Sequence, residues 1–306
     1  MTQNIPYHVL ADPEKIKKIE QAGKIAAEAL QYGKSLIKPG VLLLDVATKV
    51  EKKIFDMGGK LAFPVNISLN QTAAHYTPIP QDKSVFTDEI IKLDVGAHVD
   101  GFIGDNALTV DLSNQHSDLV KASRDALNAA IKTIRVGVTL GEIGKAIQET
   151  IESSGFKPIK NLSGHGLGEY EQHSGISIPN YNTGDTTELN EGQHIAIEPF
   201  ATNGIGLIVE KGNPFIYSQV IKKPVRSQIT REVLKLIESY KGLPFATRWI
   251  TDKYPLFKAN FAIRELTQIN LIRGYAPLVE KRDGLVSQAE HSLIVGDKPK
   301  ITTKID

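Results

Sequence analysis

The 306-residue sequence contains no cysteine. Disulfides, thiolate metal sites and cysteine nucleophiles are excluded outright. Methionine occurs only twice and tryptophan once, a shortage of oxidisable side chains that fits a hot or oxidising habitat. No apolar run approaches the roughly 18 residues of a membrane span. The first residues lack the charged start and apolar core of a secretory leader, so the sequons at Asn66, Asn70 and Asn161 carry no weight. An excess of either charge is missing too: Lys+Arg 36 against Asp+Glu 35 gives a net charge of +1. That argues against a basic field gripping nucleic acid and against an acidic solvating chain. A soluble, cytoplasmic protein is expected, with no membrane or specific nucleic-acid partner. The G-x-S-x-G elbow, the Walker loop and H-E-x-x-H are all absent. Gly164-His165-Gly166-Leu167-Gly168 lacks the spacing of a dinucleotide fingerprint.

What is present reads as one domain over residues 1–306, with a helical insertion. Asp12-Pro13-Glu14 opens a helix running to about Lys38, with Asp12 as cap and Pro13 in the first turn. A second helix runs from about Asp45 to Met57 and ends at Gly58-Gly59. Strand-like segments follow at 60–70, 90–97 and 102–112. Helical periodicity returns at 118–135 and again from Leu140 to Gly155. These helix pairs look like copies, because Gly40 and Gly137, and likewise Gly58 and Gly155, lie 97 residues apart. Two related α+β halves about a pseudo-twofold, with a cleft between them, would produce that offset. Beyond 156, strands are expected at Pro158–Leu162, His194–Phe200, Leu207–Lys211, Ile216–Ile221 and 275–295. Residues 225–272 interrupt them with helices at Ile229–Lys241 and Phe257–Asn270.

The chemistry lies in carboxylates that break apolar strands. Asp94 interrupts Ile90-Ile91-Lys92-Leu93-Asp94-Val95-Gly96, where an unpaired carboxylate is costly. Asp100-Gly101 is a two-residue hairpin turn that pairs residues whose numbers sum to 201. Asp105 then faces Gly96 and lies diagonal to Asp94 on the same face. Such a pair repels unless a proton or cation intervenes; the alternative is two strand-end carboxylates facing water. Gly101 and Gly104 could mark a bulge that re-aims Asp105. Glu198 in Ile195-Ala196-Ile197-Glu198-Pro199 and Glu290 in Ala289-Glu290-His291 are further interruptions. His165 sits between glycines at an expected exposed apex after a strand. Two divalent cations would neutralise these four carboxylates. His8, His98 and His116 read as solvent-facing, and His194 and His291 as surface or supporting groups. His75 in Ala74-His75-Tyr76-Thr77-Pro78 and His173 in Gln172-His173-Ser174-Gly175 are the better candidates to act on a substrate.

Taken together, Asn70-Gln71-Thr72-Ala73-Ala74-His75-Tyr76-Thr77-Pro78, Leu93-Asp94-Val95-Gly96 through Gly104-Asp105, Ser163-Gly164-His165-Gly166, Ala196-Ile197-Glu198-Pro199 and Gln288-Ala289-Glu290-His291 closely resemble the type II methionine aminopeptidases, in their archaeal form without the eukaryotic N-terminal extension. The roughly fifty-residue insertion between the two Glu segments points to type II. The resemblance implies the α+β "pita-bread" fold and two divalent metal ions, with Co, Mn and Fe as candidates suited to oxygen-rich ligation and one imidazole. It implies that Asp94 binds one metal, that Asp105 and Glu290 bridge both, and that His165 and Glu198 complete the other shell. His75 and His173 would contact substrate, Phe63 and Tyr275 would line the methionine pocket, and fumagillin-type epoxides would alkylate His75.

Gln172 departs from the apolar residue expected before the second histidine; its amide either faces the methionine pocket or points elsewhere. The implied reaction is removal of the initiator methionine from nascent polypeptides when the second residue is small. A bridging hydroxide would attack the scissile carbonyl, and Glu198 would relay a proton. A monomer is expected. The insertion, with Lys222-Lys223 nearby, is either a transient ribosome contact or a solvated lid. The competing activities are an X-Pro peptidase and a non-catalytic ribosome- or RNA-binding protein on the same fold.

Overall fold

The computed structural model describes residues 12–304. Helix α1 (Pro13–Leu36) starts at its sequence signal, with the Asp12 carboxylate accepting from the Glu14 N–H at 3.0 Å. Helices α2 (Leu43–Asp56), α3 (Ser117–Thr133) and α4 (Leu140–Ser153) follow. A capping box between Thr139 and Glu142 fixes the start of α4. The internal repeat is visible in the boundaries. Helix α2 maps onto α4 at both ends with the offset of 97, and Leu36 maps onto Thr133 where α1 and α3 end. The glycines preceding α2 and α4 match as well. Gly40 and Gly137 adopt φ of +84° and +80°, and their N–H groups donate to Phe86 O and Leu189 O at 2.8 Å. A side chain is strained in that conformation, so glycine stands at both copies.

Each half lays its helix pair on an antiparallel sheet. In the first, the long Ile90–Val99 strand pairs along one edge with Lys60–Leu61 and Asn66–Leu69, and along the other with Phe102–Asp111. Val46, Val50 and Ile54 of α2 pack against Ile67 and Leu93 there. The second half carries a five-stranded sheet in the order Lys300–Ile301, His291–Ile294, His194–Ile197, Ser163–Gly168, Glu171–Pro179. Leu140, Ile143, Ile147 and Ile151 of α4 recur at helical spacing and bury one stripe against Ile195 and Leu293. Each such side chain contributes about 1.5–3 kcal/mol when fully buried.

Within the expected insertion, α5 (Gln228–Ser239), α6 (Thr247–Thr251) and α7 (Leu256–Gln268) surround their own core of Val233, Ile237, Phe245, Ile250 and Leu266. That core also takes in Tyr217 and Ile272, because Ile216–Gln219 pairs with both Phe245–Ala246 and Ile272–Tyr275. The unit therefore begins before residue 225.

Three sequence expectations need correction. His165 is not at an exposed apex: it lies inside the Ser163–Gly168 strand and is buried. The glycines beside it hid that strand, yet they make it possible, since a Cβ on Gly166 would lie 1.9 Å from Ser174 O. No bulge interrupts the hairpin, whose register runs unbroken from Ile90 opposite Asp111 to Val99 opposite Phe102. Gly104 instead admits close approach of α1, where a Cβ would meet Gly23 Cα at 2.4 Å. His98 is buried rather than solvent-facing, its Nδ1 accepting from the Gly101 N–H at 3.0 Å and its ring edge-on to Tyr170. His194 is buried, His116 and His291 are half-buried, and His8 lies outside the described residues.

Candidate metal centre

The hairpin between Ile90–Val99 and Phe102–Asp111 turns at Asp100 and Gly101, both at positive φ, the geometry that matches strand twist. Its register sets Gly96 opposite Asp105 and Asp94 opposite Ala107. Glu290 enters from the other half of the molecule, where its N–H donates to Ala107 O at 3.0 Å. The Ser292 hydroxyl locks this crossing by donating to Asp105 O at 2.6 Å and accepting from Asp105 N–H at 2.7 Å. His165 is delivered by the register of its strand with His194–Ile197, and Glu198 follows directly after that partner strand.

Ligand atoms of Asp105, His165 and Glu290 all lie within 4.8 Å of one another. His165 Nε2 is 3.4 Å from Glu198 Oε1 and 3.9 Å from Asp105 Oδ2. The backbone oxygen of Gly166, 3.2 Å from His165 Nδ1, can only accept. The ring proton therefore sits on Nδ1, and Nε2 presents a lone pair to the carboxylates. Burial, then the neighbouring His173, lowers the His165 pKa to about 3 and keeps that lone pair free.

The four carboxylates crowd one another without a counter-charge. Burial raises Asp94 to about 7, partly offset by the Gln288 amide. Burial and the other members of the cluster push Asp105, Glu198 and Glu290 well above the ordinary carboxylate range. Asp94 Oδ1 and Asp105 Oδ1 are buried with no hydrogen-bond partner, an arrangement that costs free energy unless a cation completes it. Four hard oxygen donors and one imidazole fit a divalent transition metal.

Sequence reasoning assigned no role to Gln288, although it alternates onto the same face as Glu290. Its Nε2 lies 3.5 Å from both Glu198 Oε2 and Glu290 Oε2 and bridges the two carboxylates.

The cluster opens into a cavity of about 560 Å³ whose walls include His75, His173, Phe63, Tyr275 and Gln172. His75 adopts φ of +62°, and its ring stands edge-on to Tyr275 at 5.7 Å. Burial, then His173, lowers the His75 pKa to about 4, while a bond to the Ala276 backbone opposes the shift. The His173 ring lies 4.3 Å from that of His165. Phe63 packs against Gly96, where a Cβ would come within 2.1 Å of its ring. The Tyr275 hydroxyl lies 2.9 Å from Ser218 Oγ. Gln172 reaches toward the acidic cluster, its Nε2 being 3.5 Å from Asp105 Oδ2.

Residues 17–232 match Peptidase_M24, metallopeptidase family M24. The chain belongs to metallopeptidase family M24. A protein of Archaeoglobus fulgidus named methionine aminopeptidase is 48% identical over 296 residues, spanning 96% of this chain and 100% of the relative. The crystal structure of methionine aminopeptidase from Thermotoga maritima superposes with a TM-score of 0.72 at 26% identity, covering 98% of this chain and 100% of that one. A Pyrococcus furiosus prolidase shares the fold at 20% identity and a TM-score of 0.59, but this chain spans only 65% of its length. The fold is therefore the M24 pita-bread fold and the protein is a metallohydrolase. The X-Pro alternative is the less supported one. Among the described residues, no helix is long and apolar enough to cross a membrane.

Proposed function

We propose that the protein removes the N-terminal methionine from nascent polypeptides whose second residue is small, in the cytoplasm, using two divalent ions drawn from Co, Mn or Fe. The observation that carries this reading is the gathering of Asp105, Glu198 and Glu290 around His165, with Asp94 close enough to act on all three carboxylates, in a chain nearly half identical to a methionine aminopeptidase over 96% of its length. These five residues would hold the ions, which when bound supply Lewis-acid polarisation of the scissile carbonyl and a reactive water.

The chain's own groups do the rest. Glu198 takes a proton from the attacking water and returns it to the leaving nitrogen. The neutral His75 ring has one N–H, and the Ala276 carbonyl engages it. Its other nitrogen is left to accept from the scissile amide N–H, orienting that bond. His173, beside His165, flanks the same bond. Phe63 and Tyr275 enclose the methionine side chain. With the amino terminus held at the metal-binding residues inside the cleft, a bulky second side chain would clash with its walls, so Met-Ala peptides should be cleaved far faster than Met-Phe peptides. Comparable kcat/KM for the two, or faster cleavage of an Ala-Pro start, would contradict the reading.

A further inference from the structure

His75 holds a left-handed backbone conformation that a non-glycine residue keeps only when its surroundings fix it. Before it, Thr72–Ala74 is pinned as a strand against Leu278–Glu280. After it, the chain is held from an unexpected quarter. Arg248 lies in α6, within the helical unit and 171 residues away from Thr77. Its side chain is buried, and Nη1 donates to Thr77 Oγ1 at 2.6 Å and lies 3.4 Å from Pro78 O. The same guanidinium pairs with Glu51 of α2, and Trp249 Nε1 donates to the second Glu51 oxygen at 3.1 Å. Glu51 Oε1 also accepts from Val65 N–H at 3.3 Å, while the Thr77 hydroxyl donates to Val65 O at 2.8 Å. The segment following His75 is thereby bonded directly to residue 65 and to α6, and both of these are in turn bonded to Glu51 of α2. A planar guanidinium can span Glu51 and Thr77 together, which a lysine ammonium cannot do in the same geometry.

We propose that Arg248 is a positioning residue for His75, acting through the Thr77 hydroxyl, and that the helical unit thereby sets the geometry of the substrate cleft. The proposal rests on the reading of His75 as a group that touches substrate. It gives the helical unit a task inside the molecule that requires no external partner.

Arg248 variants can fail to fold, because they leave Glu51 buried without its cation. The test therefore uses Thr77, in the metal-loaded full chain with a Met-Ala-Ser peptide. Thr77→Val keeps the branched shape and removes the hydroxyl, whereas Thr77→Ser keeps the hydroxyl. Thr77→Val should lower kcat about tenfold, the scale of a sub-ångström misplacement, with KM and metal content changed less than about twofold. Thr77→Ser should stay near wild type. In a His75→Ala background Thr77→Val should cause no further loss, since the two act through one group. The ring ¹⁵N resonances of His75 should move in Thr77→Val and hold in Thr77→Ser, a readout that stands even if the peptide is not the substrate. An equal loss of kcat in the His75→Ala background, or unmoved His75 resonances in Thr77→Val, would overturn the proposal.

Discussion

Asp94 and Asp105 lie on one face of a two-stranded hairpin, diagonal to each other, because Gly96 stands directly opposite Asp105. Asp105 is the more central of the two, sharing a 4.8 Å cluster with His165 and Glu290. Asp105→Asn should therefore weaken retention of both metal ions, and Asp94→Asn mainly of one. Metal analysis after dialysis decides between them. Equal loss of both ions in the two variants would overturn this division of roles.

His75→Ala should retain the fold and both ions yet lower kcat by about 10²-fold, the scale of a lost orienting contact, raising KM much less. With a pKa lowered to about 4, His75 stays neutral across the working range, so it should not set the acid limb of the pH–rate profile. Its free ring nitrogen should also make it, rather than His173, the site alkylated by a fumagillin-type epoxide. Peptide mass mapping that places the adduct on His173 would reverse the two assignments.

Gln172 lines the cleft, and its amide lies 3.5 Å from the Asp105 carboxylate. Gln172→Ile should then leave KM for Met peptides within about twofold and weaken metal retention toward the low end of the 10–100-fold range for groups that support a metal ligand. A markedly lower KM with unchanged metal content would restore the pocket role.

Metal removal should be felt more as pH rises. In the metal-free protein Asp94 titrates near 7 instead of 3.8. Stability is therefore lost as pH climbs through that window, because the folded chain binds more protons than the unfolded one. The buried imidazoles of His75 and His194, lowered to about 4 and about 3, act in the opposite sense below 6.5. Neither is a metal ligand, so both largely cancel between loaded and stripped protein. The gain in Tm from added Mn²⁺ should be larger at pH 8 than at pH 6. A larger gain at pH 6 would contradict the raised carboxylate values.

Much of the centre is legible in the sequence because a turn dipeptide fixes register. Once Asp100-Gly101 is read as a hairpin, the facing of Gly96 and Asp105 follows by counting. The repeat is legible for a similar reason: helix-terminating glycines recur at one offset. The His165 strand was hidden because Gly164, Gly166 and Gly168 carry no side chains to alternate, and strand patterns are read from side chains. The burial of His98 was missed because its neighbour Tyr170 comes from a turn 72 residues away. Arg248 reaching Thr77 has no local signal at all. A charged residue on a short helix reads as surface unless the tertiary partner is known.

Release of free methionine from a Met-Ala-Ser peptide, before and after chelation and then with Mn²⁺ or Co²⁺ restored, tests the central claim most directly. The account predicts release of the first residue only, abolished by the chelator and recovered with either ion. Release that persists in the metal-free protein, or no release from the fully loaded one, would contradict it.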